Sequence, residues 1–210
     1  MTGSVPVLDH LVFAAPDLAA ATRWFAERTG VQPVRGGSHP GLGTANQLVG
    51  LGSGGYLEII GPDPAQPDPA EARPFGIDEL TEPRLVTWAV RTDEIDALVA
   101  QARSGGYDPG EPRAMSRRTP DGELLEWRLT APRLDYAGGL VPFLIDWGTT
   151  PHPTSRALPS TPLRALRATH SEPEPARSAL LALRVDLAVD LGEPVALLLD
   201  VDGSAGPVRL

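Results

Sequence analysis

Two polar side chains interrupt apolar runs in which nothing local calls for them. His10 stands within Val7 to Ala14, and Glu58 is a carboxylate in the middle of Tyr56 to Ile60. Burying an unpaired carboxylate is costly enough that Glu58 needs a metal, a base or a hydrogen-bonded partner. His10 is a natural partner. An imidazole nitrogen and a carboxylate oxygen, with open positions left for water or substrate, suit Zn²⁺, Fe²⁺, Mn²⁺ or Ni²⁺ acting as a Lewis acid. The same two side chains without a metal make a buried hydrogen-bonded pair, and the residues alone leave both readings open.

Further candidates cluster around these two. His39 lies in GGSHPGLGTANQ, where glycines let the backbone approach a ligand and a histidine can transfer protons. His39 and Glu58 are therefore the candidate catalytic residues. Thr44 and Asn46 follow closely, and Asn46 suits orientation of a substrate carbonyl or amide. Their alternative is a surface turn whose Asn46 satisfies backbone groups at a strand entry. Arg117 and Arg118 precede the turn Thr119-Pro120-Asp121-Gly122, so one of them, Arg118 being the candidate, can hang over a pocket mouth and attract a carboxylate or phosphate; a solvated pair at a hairpin is the plainer alternative. Trp88, Trp127 and Trp147 are three of four tryptophans. They suit a core, with Trp127 the candidate to wall a planar or apolar ligand. His152, between two prolines, reads as a linker residue, and His170 as a surface residue.

These side chains must be positioned by strands and helices, and the chain repeats one such pattern. Leu8 to Gly30, Leu85 to Gly106 and Leu163 to Asp186 each run from an apolar stretch into an acidic helix start. Aligning Asp17, Glu94 and Glu172 places His10 over Thr87 and Ala165, at intervals of 77 and 78 residues. So long a period means duplicated modules rather than a solenoid. Alternation predicts a strand over Val7 to Ala14, with Leu8, His10, Val12 and Ala14 on one face and Leu11 and Phe13 on the other. A helix follows from the N-cap Asp17 to Gly30, then short strands at Gln32 to Arg35, Asn46 to Leu51 and Tyr56 to Ile60. Residues 5–61 thus form a βαβββ module. Residues 62–83 carry six prolines and read as an exposed connector or lid. Residues 84–148 repeat the module, with strands at Leu85 to Arg91, near Arg113 to Arg117, at Glu123 to Leu129 and at Phe143 to Trp147, and a helix from Asp93. Residues 149–162 are a second linker, and 163–210 a third, shorter module.

Four segments together, DHLVFAAPDL, HPGLGTANQLVGLG, YLEIIGPDP and PFLIDWGTTPHP, resemble the glyoxalase-like branch of the vicinal oxygen chelate superfamily. The resemblance covers about residues 7 to 153. It implies an α+β fold in which paired βαβββ modules form two curved half-barrels around a cavity, often with a divalent metal on inward side chains of first and fourth strands. Carried onto this chain, the metal ligands would be His10, Glu58 and Asp146, the last near the second-module position of Glu58. Thr87, at the position of His10, is a poor ligand and a departure from the pattern. Such a metal gathers two neighbouring substrate oxygens and stabilises an enolate or oxyanion.

Composition narrows the classes. At 210 residues and 41% hydrophobic content the chain can bury a sizeable core. A net charge of −9, with arginine supplying every base, disfavours a nucleic-acid backbone as partner. Cysteine is absent, which removes disulfides and thiolate ligands. MTGSVPVLDH lacks the features of a signal peptide, and no run approaches the roughly 18 apolar residues of a membrane span, so a cytoplasmic location is expected. No GxSxG, P-loop or HExxH occurs, and Gly50-Leu51-Gly52-Ser53-Gly54-Gly55 has the GxGxxG spacing but runs into the strand Tyr56 to Ile60 rather than opening a helix. The expectation is a small-molecule enzyme of isomerase, lyase or dioxygenase chemistry. Its alternative is a metal-free ligand-binding or resistance protein. The run Val195 to Leu199 would close the third module against the first two, or against another subunit in a homodimer.

Overall fold

The computed structural model describes residues 5–119, 122 and 124–210, Arg118 by its backbone alone. Met1 to Ser4, the turn residues Pro120 and Asp121, and Glu123 lie outside the described residues.

The first module is β1 (Val7–Ala14), α1 (Leu18–Thr29), β2 (Val34–His39), β3 (Thr44–Gly50) and β4 (Tyr56–Pro62). The second is β5 (Arg84–Arg91), α2 (Ile95–Ser104), β6 (Arg113–Arg118), β7 (Leu124–Leu129) and β8 (Phe143–Asp146). Local chemistry explains the helix ends. The Asp17 side chain accepts a hydrogen bond from the Ala20 N–H at 2.9 Å, and Gly30 closes α1 in the left-handed region (φ 70°) with its N–H on the Ala26 carbonyl. Removing that cap by Asp17→Ala should cost about 1 kcal/mol in urea unfolding; an unchanged midpoint would show that the cap contributes nothing.

Among the described residues eight strands close into one barrel in the order β1-β4-β3-β2-β6-β7-β8-β5. Each module supplies a half. The halves join where β1 runs antiparallel to β5 and where Ser38 of β2 meets Arg118 of β6. Within the first half β1 pairs in parallel with β4, which sets Val12 beside Glu58.

The pairing of β1 with β5 shifts register at two places, between Leu8 and His10 and between Val12 and Phe13. Leu8 faces Val90 and His10 faces Ala89, so Asp9 is the extra residue of a bulge. The simple alternation expected for this strand therefore fails at its start. His10, Val12 and Ala14 face the barrel interior as expected, but Leu8 packs with Leu11 and Phe13 in the outer core. The bulge leaves Asp9 buried beside His10 rather than turned away from it.

The third module has the expected order of elements: β9 (Leu163–His170), α3 (Glu174–Ala182), β10 (Ala188–Leu191), β11 (Ala196–Gly203) and β12 (Gly206–Arg209). Its pairing differs from that of the barrel modules. The sheet order is β10-β9-β11-β12, so β9 pairs with the two strands after its helix and not with the last. Order of elements is thus repeated three times and topology only twice. Leu197, Leu199 and Val201 of β11 and Leu180 of α3 join Leu11, Phe13, Phe25, Leu57 and Trp88 in one core. The module closes against the outer face of the barrel.

The connector 62–83 is a wall of the barrel rather than a free strap. Arg73 pairs with Asp68 and Asp78 and donates to the Gly43 carbonyl, while Asp63 accepts from Ser38 and Gln66. These bonds deliver Pro74 and Phe75 to the cavity, Phe75 in the left-handed region (φ 62°) that a bulky residue rarely adopts.

Candidate active site

The barrel encloses a cavity of about 320 Å³, within the range of small-molecule sites. Its polar groups are His10, His39, Asn46, Tyr56, Glu58 and Arg117, and most of the remaining wall is apolar, including Phe75, Trp127, Phe143 and Trp147. Strand alternation puts them there: Tyr56, Glu58 and Ile60 face inward from β4, and Phe143 and Ile145 from β8, with Trp147 following.

Glu58 is the centre of the polar patch. Its Oε1 accepts from the Asn46 Nδ2 at 2.5 Å. Its Oε2 lies 3.8 Å from the His10 Nε2, and the His39 Nε2 lies 3.9 Å from Oε1. One carboxylate is thus flanked by two imidazoles. Each imidazole has its other nitrogen engaged: His10 Nδ1 lies 2.6 Å from Asp9, and His39 Nδ1 3.0 Å from the Thr44 hydroxyl.

The two histidines are driven in opposite directions. Burial disfavours the His10 cation, but the bond to Asp9 and the charges of Asp9 and Glu58 outweigh it, so its pKa lies above the ordinary imidazole value. For His39 burial dominates, with Arg117 adding to it and Glu58 and Asp63 opposing, and its pKa lies below the ordinary value. Burial, with Asp9 and Glu58 adding to it, pushes the Tyr56 hydroxyl well up, so it stays protonated; its ring stacks on His10 at 4.9 Å between centroids.

Asp9 supports this arrangement from beneath. Fully buried, it holds His10 on one oxygen and, on the other, the Trp147 Nε1 (2.9 Å) and the His152 Nε2 (3.0 Å). Burial raises a carboxyl pKa, but the bonds from His10 and His152 outweigh it and hold Asp9 well below the usual carboxylate range. His152 is therefore part of the site's foundation, and not the free linker residue its PHP context suggests.

The other sequence candidates divide. Asn46 and Trp127 line the cavity, whereas Thr44 is buried behind His39 and fixes that ring. Of the arginine pair, Arg117 reaches the cavity, buried and donating to the Gly36 carbonyl at 2.6 Å; the Arg118 side chain lies outside the described residues. Trp88 is core, its indole donating to the Leu140 carbonyl. His170 sits on β9 and caps its own turn by accepting from the Glu172 N–H.

Asp146 does not line the cavity. Because Phe143 and Ile145 take the inward positions of β8, Asp146 points to the other face and accepts from the Gly148 N–H. With Thr87 at the position of His10, the second module contributes no metal-binding side chain to the cavity. Among the described residues no group of three or more His, Cys, Asp or Glu is arranged to hold a metal ion. The donor set His10, Glu58 and Asp146 thus does not form a metal centre, and the polar groups at hand are those of side-chain acid–base chemistry.

The fold and this cavity define a class. Residues 8–184 match the model of the glyoxalase-like domain, and the chain belongs to that family. No curated protein matches the sequence. Among solved structures, a hypothetical protein from Staphylococcus aureus is 16% identical over 96% of this chain and 84% of its own, with a TM-score of 0.63, and has the same fold. Methylmalonyl-CoA epimerase from Mycobacterium tuberculosis is 20% identical over 74% of this chain and 97% of its own (TM-score 0.45). The Streptomyces coelicolor epimerase in complex with 2-nitronate-propionyl-CoA is 19% identical over 71% and 100% (TM-score 0.44). No helix of the described residues is long and apolar enough to cross a membrane.

Proposed function

We propose that this glyoxalase-like protein is a proton-transfer enzyme that acts at a carbon next to a carbonyl in a small, largely apolar substrate. The observation that carries the reading is the pair of histidines on either side of Glu58 with pKa values driven apart, His39 toward the neutral form and His10 toward the charged form. His39, with Nδ1–H on Thr44, presents the Nε2 lone pair as base; His10, with Nδ1–H on Asp9, presents Nε2–H as acid. The C–H proton passes to His39, the bonding pair moves into the carbonyl as an enolate, and the enolate oxygen takes the hydrogen bond or the proton of His10. Return of a proton to carbon completes an isomerisation or epimerisation. Glu58 holds the His10 cation, and Asn46 orients Glu58. Phe75, Trp127 and Trp147 supply the apolar wall that excludes water and lowers the local dielectric.

The test is a panel of small α-substituted carbonyl compounds incubated with the protein in D₂O, with deuterium at the α-carbon followed by NMR. Enzyme-dependent exchange of at least one member is the expected result. Saturable binding of panel members with no exchange would replace this reading with a ligand-sequestering one.

A further inference from the structure

A second chamber, of about 380 Å³, has neither His39 nor Glu58 among its lining residues. Among the described residues its walls come from Val34 to Gly36 of β2, Leu48, Arg117, Thr119, Leu125 and the linker around His152. Arg117 lines both chambers. In a chain whose net charge is −9, Arg35 and Arg117 line this chamber, and the described lining residues include no Asp or Glu.

Arg117 gives the chamber its meaning. It is only 6% exposed, yet among the described residues its side chain makes one hydrogen bond, to the neutral Gly36 carbonyl, and no ion pair. A buried guanidinium with no carboxylate bonded to it is costly, and its fork geometry matches a carboxylate or phosphate. Glu58 lines the first chamber and repels an anion there, whereas Arg35 extends the positive wall of the second. We infer that the second chamber is an anion subsite, taking the carboxylate or phosphate end of a small molecule against Arg117 and Arg35. That this anion is the far end of the substrate whose carbonyl reaches His10 rests on the proton-transfer reading; the anion site itself does not.

Titration calorimetry with sodium phosphate, and in a parallel arm sodium acetate, at low ionic strength tests this directly. One saturable site is expected for at least one anion. Tighter phosphate binding assigns a phosphorylated ligand and tighter acetate binding a carboxylic acid. Arg35→Met, a change at an exposed side chain that leaves the core intact, should weaken binding about tenfold, and Ala157→Trp, which fills the chamber, should abolish it. Absence of saturable binding of either anion overturns the inference, as does binding that both variants leave unchanged. Anion binding in a protein without proton exchange would keep this subsite and discard the proposed function; exchange without anion binding would do the reverse.

Discussion

His39→Gln should lower α-proton exchange by roughly 10²- to 10⁴-fold, the usual contribution of a positioned general base, with little change in stability. Glutamine keeps most of the volume and can still bond the Thr44 hydroxyl, which is the one hydrogen bond the His39 side chain makes among the described residues. What it cannot do is accept a proton near neutrality. The pH profile carries a second signature. Because the His39 pKa is lowered, the base is already neutral at pH values where an ordinary imidazole is half protonated, so the acid limb should fall below 6.5. Because that of His10 is raised, the acid survives above 6.5, and the alkaline limb should lie there. A plateau between two limbs on either side of 6.5 is the expected form, and an exchange rate that His39→Gln leaves intact would move the base elsewhere.

Asp9→Asn should be the most damaging conservative change in the chain, costing about 3–5 kcal/mol as the removal of one partner from a buried charged cluster. Three groups depend on Asp9, namely His10, His152 and Trp147, and an amide cannot accept from all of them without turning a donor toward one. The pH dependence has a definite sign. A depressed folded pKa means that Asp9 contributes stability above its unfolded value near 3.8, which is lost as pH falls toward the folded value. His10, with a raised folded pKa, contributes fully below 6.5, and that contribution is lost as pH rises through its folded value. The deficit of the variant in urea unfolding is therefore largest near pH 5 to 6, where both contributions are present in the wild type, and shrinks in acid. A deficit below about 1 kcal/mol at that pH would refute the account of Asp9 as the foundation of the site.

Much of this was legible in the sequence because it is local or periodic. The interruption of two apolar runs by His10 and Glu58 pointed to one cavity, and both side chains face it. The glycine-flanked His39 and the nearby Asn46 join them. The repeat predicted two like modules, and the resemblance they carry implied the curved half-barrels that close here into one barrel. Other features escaped because they depend on pairing between distant residues. Alternation counts by twos and cannot register a bulge, so Asp9 went unread although it adjoins His10. His152 is bound to Asp9 from 143 residues away, across a linker with no regular pattern. In β8 a shift of one residue exchanges the faces, which is why Asp146 reads as a ligand in the sequence and lies outside the cavity in the fold. The third module carries the right order of elements, but strand order within a sheet is set by which apolar faces meet, and periodicity does not encode that.

The central claim is that two imidazoles a few ångströms from one carboxylate have pKa values displaced to opposite sides of the ordinary imidazole value. Titration of the histidine side chains by ¹H–¹⁵N NMR between pH 4 and 9, with each resonance assigned through His10→Gln, His39→Gln, His152→Gln and His170→Gln, measures this directly. The account requires the His10 midpoint above 6.5 and the His39 midpoint below it. Midpoints in the reverse order, or two midpoints that coincide, would contradict it.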